Sequence, residues 1–243
     1  MKNFSLNITI VIPIGPGDHS WRSLVEDLRV LFLEESIPFE ADVVLCFCKE
    51  DEALFLSEQY LCKKQNVFPI KPVISSKGRS TQLNKGAENA EGDFLWFLHA
   101  DSKLEASTLF KLYQSLLDEP KALHYFHLTF LRDGPFLTYL NEFGARMRSE
   151  VLKMPFGDQG FCIKKETFGF VGGFLTGGER KGGEDHLFIW EARRKGVRLR
   201  NTGGFLATSA RKYRENGWLK TTCYHIFLTY KVAIQKYFGL SGP

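Results

Sequence analysis

Three stretches of this sequence combine residue types that can hold an anion, a cation or a proton. His99-Ala100-Asp101 follows the uninterrupted apolar run Phe94 to Leu98. An acid just past a buried strand can hold a divalent cation, because hard metals take oxygen ligands and a diphosphate needs its charge neutralised. The plainer account is that Asp101 caps the next turn. Gly182-Gly183-Glu184-Asp185 puts two carboxylates at the start of a helical stretch. A helix dipole favours acids in its first turn, which accounts for Glu184. The approach through Gly172, Gly173, Gly177, Gly178, Gly182 and Gly183 reads as a lid that closes over a substrate and brings Asp185 into reach. A carboxylate so placed is a natural general base for a hydroxyl nucleophile. The third stretch, Pro13 to Asp18, carries Gly15 and Gly17, which let a backbone approach a ligand closely.

Such residues act together only if the elements around them bring them to one place. Strands at Ile8 to Ile12 and Val43 to Phe47 flank an amphipathic stretch, Trp21 to Leu33, with Leu24, Val25, Leu28, Leu31 and Phe32 at helical spacing. A helix at Glu52 to Cys62, a short strand near Val67 to Ile70, a helix opening at Ser80 or Thr81 and the strand Phe94 to Leu98 follow. This alternation predicts an α/β fold with a mostly parallel sheet covered by helices on both faces. Ligands bind outside the carboxyl ends of strands in such sheets. After Asp101 the pattern predicts a helix at Ser107 to Leu117, a strand at His124 to Leu131 and a helix at Phe136 to Arg148. Gly-rich irregular sequence from Pro155 to Gly183 comes next, then a helix at Glu184 to Lys195 and a strand pair around Val197 to Thr208. An amphipathic tail helix runs from Trp218 to Phe238, so residues 1–217 read as one domain and 218–243 as a helix packed on it or on a membrane face.

The composition is that of an ordinary globular protein: 243 residues, 44% hydrophobic and 25% charged, which excludes a disordered tail, a collagen-like fibre and a disulfide scaffold. A net charge of +4 is too mild for a nucleic-acid partner. That figure conceals a basic segment: residues 177–220 hold 11 Lys and Arg against 5 Asp and Glu. Arg211, Lys212 and Arg214 within it could meet a diphosphate or an anionic acceptor, or be a solvated face. Cys46, Cys48, Cys62, Cys162 and Cys223 complete no metal-ligand spacing and read as buried reduced thiols of a cytoplasmic protein. The run Ile8 to Ile14 is short, contains Pro13 and reads as a strand rather than a signal peptide. No run approaches the roughly 18 apolar residues of a membrane span. Contact with a membrane, if any, is expected to be peripheral, on the inner face.

Together these residues resemble glycosyltransferase family 2, inverting enzymes of the GT-A fold. The resemblance rests on Gly78-Arg79-Ser80-Thr81-Gln82-Leu83-Asn84-Lys85-Gly86-Ala87, Gly92-Asp93, Phe97-Leu98-His99-Ala100-Asp101, Gly157-Asp158-Gln159-Gly160, Val171-Gly172-Gly173-Phe174 and Glu184-Asp185 in that order. Thr208-Ser209-Ala210-Arg211-Lys212-Tyr213 and the "HAD" motif look like the bacterial subgroup described as transferase 2 associated with radical-SAM and selenium-domain proteins, of arsenosugar-biosynthesis type. The resemblance implies transfer of a sugar from a nucleotide-sugar donor, UDP-linked by family habit, to the hydroxyl of a small-molecule or lipid-linked acceptor. It implies Mn2+ or Mg2+ on Asp101, and Asp185 as the base. The donor would lie against Pro13, Gly15, Arg79, Asn84, His99, Ala100 and Asp101, with Asp158, Gln159, Glu184 and Arg211 around the donor sugar and acceptor.

The chain departs from the family pattern in three places. His99 replaces the first Asp of the Asp-x-Asp motif, Phe47-Cys48-Lys49 stands where an acid usually reads the base, and Gly15-Pro16-Gly17-Asp18 replaces an Asn-Glu. The altered base pocket raises the alternative of a nucleotide-sugar-binding protein without catalysis. Retention of Asp101 and Asp185 argues against that. A nucleotidyltransferase would need a Gly-rich triphosphate loop with a Lys after the first strand, and Gly15-Pro16-Gly17 is too weak for that.

Overall fold

The computed structural model describes residues 5–35, 37–52, 55–56, 67–176 and 183–237; within the last helix, side chains are described up to 227 and at 230. Eight strands form one sheet: β1 (Leu6–Pro13), β2 (Phe39–Cys48), β3 (Ile70–Ser75), β4 (Phe94–Phe97), β5 (Lys103–Leu104), β6 (Leu123–Phe130), β7 (Cys162–Lys164) and β8 (Leu199–Thr208). Their order is β3-β2-β1-β4-β7-β6-β8-β5. β1 pairs in parallel with β2 on one side and β4 on the other, and β2 with β3. β7 runs antiparallel to both β4 and β6, while β8 is parallel to β6 and antiparallel to β5. Six strands therefore share one direction, and only β5 and β7 oppose it.

A central strand covered on both faces must be apolar throughout, and β1 is: Ile8, Ile10, Val11 and Ile12 are all buried. Alternate side chains enter two cores. On one face Ile8, Ile10 and Ile12 meet helices α1 (Trp21–Glu34) and α3 (Thr108–Asp118) through Leu24, Leu28, Leu109 and Leu112. On the other Val11 joins α2 (Arg79–Asn89), α5 (Lys165–Val171) and α6 (Glu184–Arg194) through Leu83, Phe168 and Phe188. Much of the Phe content goes here, where Phe168, Phe174 and Phe188 pack ring on ring, with centroids 4.5–5.7 Å apart. Gly86 lets α2 lie against the sheet, because a Cβ there would come within 2.9 Å of the Cys46 sulfur. Helices α4 (Thr138–Glu150), α7 (Arg211–Asn216) and α8 (Trp218–Tyr237) complete the described chain.

Several elements differ from expectation for identifiable reasons. The strand expected near Val67 to Ile70 runs from Ile70 to Ser75 and includes Pro72, which argues against a strand in sequence but is tolerated at the sheet edge that β3 forms. The stretch expected to be irregular from Pro155 holds a 3-10 turn, Gly157–Gln159, then β7 and α5. Three residues of β7 are too few to show a period, yet Cys162 and Ile163 are fully buried between β4 and β6. One strand, β8, stands where a pair was expected, because it finds its partners in β6 and β5 rather than in itself. Cys46, Cys48 and Cys162 are buried thiols as expected, but Cys223 is exposed, since it faces outward on α8. Cys62, most of the expected Glu52 to Cys62 helix, Gly177, Gly178, Gly182 and Phe238 lie outside the described residues. Among the described residues no helix is long and apolar enough to cross a membrane.

Candidate active site

The shared direction of six strands gathers the segments after them along one edge of the sheet, where helix N-termini offer unpaired N–H groups. A cavity of about 820 Å³ lies at that edge, lined also by α4 and α8. His99 and Asp101 reach it from beyond β4, Thr208 from the end of β8, Arg79 from the first residue of α2 and Asp185 from the first turn of α6.

Asp185 is the most constrained of these groups. Its Oδ2 is held by Arg79 at 3.1 Å and by the Gly157 N–H at 3.2 Å. Its Oδ1 is buried and has no hydrogen-bond partner. The approach of the Gly157 turn requires glycine, because a Cβ there would sit 2.6 Å from Oδ2. Arg79 also meets Nε2 of His99. Burial, reinforced by Arg79 and Lys212, holds the His99 pKa well below the usual imidazole value. Where the family pattern has an acid, this chain therefore presents a neutral ring.

Asp101 accepts a hydrogen bond from the Thr208 hydroxyl at 3.4 Å, and burial raises its pKa, with Lys212 opposing. Asp158 is pushed up to about 6, first by burial and then by the neighbouring Asp185 and Asp101 charges, against Arg148 and Arg79. Its Oδ1, like that of Asp185, is buried without a partner. Arg148 lies over the Phe156 ring, 3.2 Å from the centroid, and donates to the Met154 carbonyl at 2.9 Å. The same ring stacks on His186 at 4.0 Å. Burial pushes His186 down to about 4 and leaves its Nδ1 unpaired.

Of the residues singled out in the sequence, Arg79, His99, Asp101, Asp158, Glu184, Asp185 and Arg211 line this one cavity. Gln159 and Asn84 do not, and both amides are engaged with the scaffold. Gln159 accepts from the Phe156 N–H at 2.9 Å and Ser149 at 2.8 Å and donates to the Phe126 carbonyl at 2.8 Å. Asn84 bonds both the N–H and the carbonyl of Phe174, at 2.9 and 2.7 Å, tying the Val171–Phe174 turn to α2. Pro13, Gly15 and Ala100 are outside the lining, Ala100 being buried. The loop after β1 is tied by the Gly17 N–H to Asp51 at 2.7 Å, so an acid does stand beyond β2, just past Phe47-Cys48-Lys49.

Arg148, Phe156 and His186, which also line the cavity, were not singled out in the sequence. His186 had a signal, being next to Asp185; Arg148 had none to separate it from Arg146. Asp133 also acts here: it accepts from the Ser209 hydroxyl at 2.6 Å and the Ala210 N–H at 2.8 Å, placing Arg211 and Lys212 at the cavity. Among the described residues no three His, Cys, Asp or Glu gather into an all-protein metal cage. Asp101, half-buried and facing the cavity, fits the other common arrangement, in which Mg2+ takes one or two carboxylates and completes its shell with phosphate oxygens.

The fold is shared with crystal structures of S. aureus TarS 1-349. The structure without ligand aligns with a TM-score of 0.61 and 15% identity, over 84% of this chain and 60% of TarS. Those in complex with UDP-GlcNAc and with UDP each give 0.62 and 16%, over 84% of this chain and 58% and 61% of theirs. The chain thus spans about three fifths of the TarS chains it matches, and the likeness is one of fold, the GT-A glycosyltransferase fold. No curated protein matches the sequence. Residues 49–182 match the sequence profile of Glycosyl transferase family 2. That span is more than half of the 243 residues and carries Arg79, Asp101 and Asp158 into the cavity, so the chain belongs to glycosyl transferase family 2.

Proposed function

We propose that this protein transfers a sugar from a UDP-sugar to an acceptor hydroxyl with inversion at the anomeric carbon, using Asp185 as base and Mn2+ or Mg2+ on Asp101. The observation that carries the reading is the asymmetry of Asp185. One oxygen is fixed by Arg79 and Gly157, and the other is buried and unpaired in the wall of the cavity that also holds Asp101. Arg79 holds the carboxylate in one orientation. Oδ1 takes the acceptor proton as the acceptor oxygen bonds the anomeric carbon, and the bond from that carbon to the diphosphate breaks on the opposite face. A divalent ion supplies charge neutralisation at the diphosphate, and Arg79 and Lys212 add positive potential around it. The UDP identity is supported by TarS, whose complexes hold UDP-GlcNAc and UDP.

Asp185→Asn is the test. Turnover of the UDP-sugar is expected to fall about 10²- to 10⁴-fold, while the thermal shift given by donor and Mn2+ is retained. Equal turnover by variant and parent removes Asp185 as base. Chelation should abolish turnover and Mn2+ restore it. A parent protein that binds UDP-sugars but never turns them over is the non-catalytic binding protein.

A further inference from the structure

Helices α4 and α8 are joined beside the cavity by Asn141, which accepts from the Trp218 indole at 2.7 Å and donates to Thr222 at 3.0 Å. Away from this polar seam both helices present apolar side chains to solvent. Leu140, Met147 and Val151 at α4, and Tyr224, Ile226 and Tyr230 on α8, line the cavity and are exposed as well. Outside the cavity lining stand Phe136 just before α4, Phe143 on α4 and Phe227 on α8, at 85%, 64% and 62% exposure. Single exposed apolar residues are ordinary, but an apolar surface shared by two neighbouring helices marks an interaction site.

Charge identifies what it meets. Residues 136–153 and 211–237 hold nine Lys and Arg against three Asp and Glu. Arg146, Lys153, Arg211, Arg214 and Lys220 are exposed. Aromatic and aliphatic side chains flanked by cations suit an anionic lipid headgroup layer. A second copy of the chain would instead bring like charges together.

Resting on the glycosyl-transfer reading above, we propose that the α4–α8 surface docks on an anionic bilayer and that the cavity takes its acceptor hydroxyl from a lipid held there. The apolar wall of the cavity then receives the lipid near its headgroup, and the carboxylates face the hydroxyl.

The test is co-sedimentation of the full chain with vesicles of phosphatidylcholine alone or mixed in equal parts with phosphatidylglycerol, with no donor present. The mixed vesicles should carry the protein down, and binding to phosphatidylcholine alone or in high salt should be about tenfold weaker. Phe143→Glu with Phe227→Glu should abolish pelleting while the melting temperature and donor-induced thermal shift stay at the parent values. Lys220→Glu should weaken it without loss of fold. A folded parent that stays in the supernatant overturns the proposal. So does a parent that elutes as a dimer and becomes monomeric in the double variant, since a second copy then covers the surface. Vesicles made from the producing cell's own lipids should take label from a radioactive donor sugar into the organic phase; label confined to the aqueous phase while the protein is bound overturns the lipid acceptor. Pelleting requires no turnover, so failure of Asp185 as base leaves the docking result standing.

Discussion

Buried polar groups are treated differently in two regions of this molecule. Under the parallel strands, Gln82 donates to the carbonyls of Ile14 and Cys46 at 2.7 and 2.6 Å. The Thr9 hydroxyl donates to Asp42 at 2.6 Å and accepts from the Gly92 N–H at 2.8 Å. At the cavity, by contrast, Asp158 Oδ1, Asp185 Oδ1, His186 Nδ1 and Arg79 Nε are buried with no partner. An unmade buried hydrogen bond costs about 1–3 kcal/mol. All four belong to residues that line the one 820 Å³ cavity. Two histidines make the same point. His124 and His186 are both pushed down to about 4 by burial. His124 has the Ser115 hydroxyl at 2.8 Å and the Glu119 carbonyl at 3.0 Å, whereas His186 keeps an unpaired nitrogen in the cavity wall. Depressed basicity therefore records burial in both places, and the two rings differ in whether both nitrogens find a partner.

This contrast can be broken or sharpened by substitution. The largest effect after Asp185→Asn is expected from Gly157→Ala, whose added methyl displaces the fixed oxygen of Asp185; misplacing a catalytic group by about 1 Å costs on the order of 100-fold in turnover. Steady-state kinetics of the purified variant, provided its melting temperature is near that of the parent, would check this, and unchanged kcat would show that the Gly157 turn does not position Asp185 for turnover. Gln82→Leu takes the side-chain donor from the buried Ile14 carbonyl and one of two donors from that of Cys46, which keeps the Ile14 N–H at 2.9 Å, and should lower stability by about 1–3 kcal/mol in urea unfolding. Its activity per folded molecule should stay near that of the parent; a large loss of kcat would erase the distinction between the two regions.

The smallest effect is one of pH. Both histidines are neutral in the folded chain and protonate when unfolded below about 6.5, so the unfolded state binds more protons between about 4 and 6.5. Their contribution to stability is present above that window and is lost as pH falls through it. The melting temperature should drop on acidification from neutral pH towards pH 5, less steeply in His124→Gln or His186→Gln. Only the second should change the steady-state kinetics. Equal kinetic effects of the two would place His124 in the site as well.

Most of the scaffold was legible because an uninterrupted apolar strand and a 3.6-residue apolar period each report burial over many residues. β5 and β7 were not, at two and three residues, since their burial comes wholly from neighbours distant in the chain. The motif order led to Arg79, Asp101, Asp158 and Asp185 in one cavity. It also led to Asn84 and Gln159, whose amides satisfy backbone groups instead; a side chain with both a donor and an acceptor serves either purpose, and residue type does not separate them.

Residue order alone therefore determined the alternation of strand and helix, the mostly parallel sheet with a cavity at its strand ends, and the presence of Asp101 and Asp185 in the lining of that cavity. Tertiary structure decided which atoms are left without partners. It turned Arg148 inward and left Arg146, two residues and about 200° around the same helix, outside. It also set α4 beside α8, some 80 residues later, so that one apolar wall borders the carboxylates. Burial and hydrogen-bond satisfaction belong to pairs of residues brought together by packing, and no local pattern in the chain carries them.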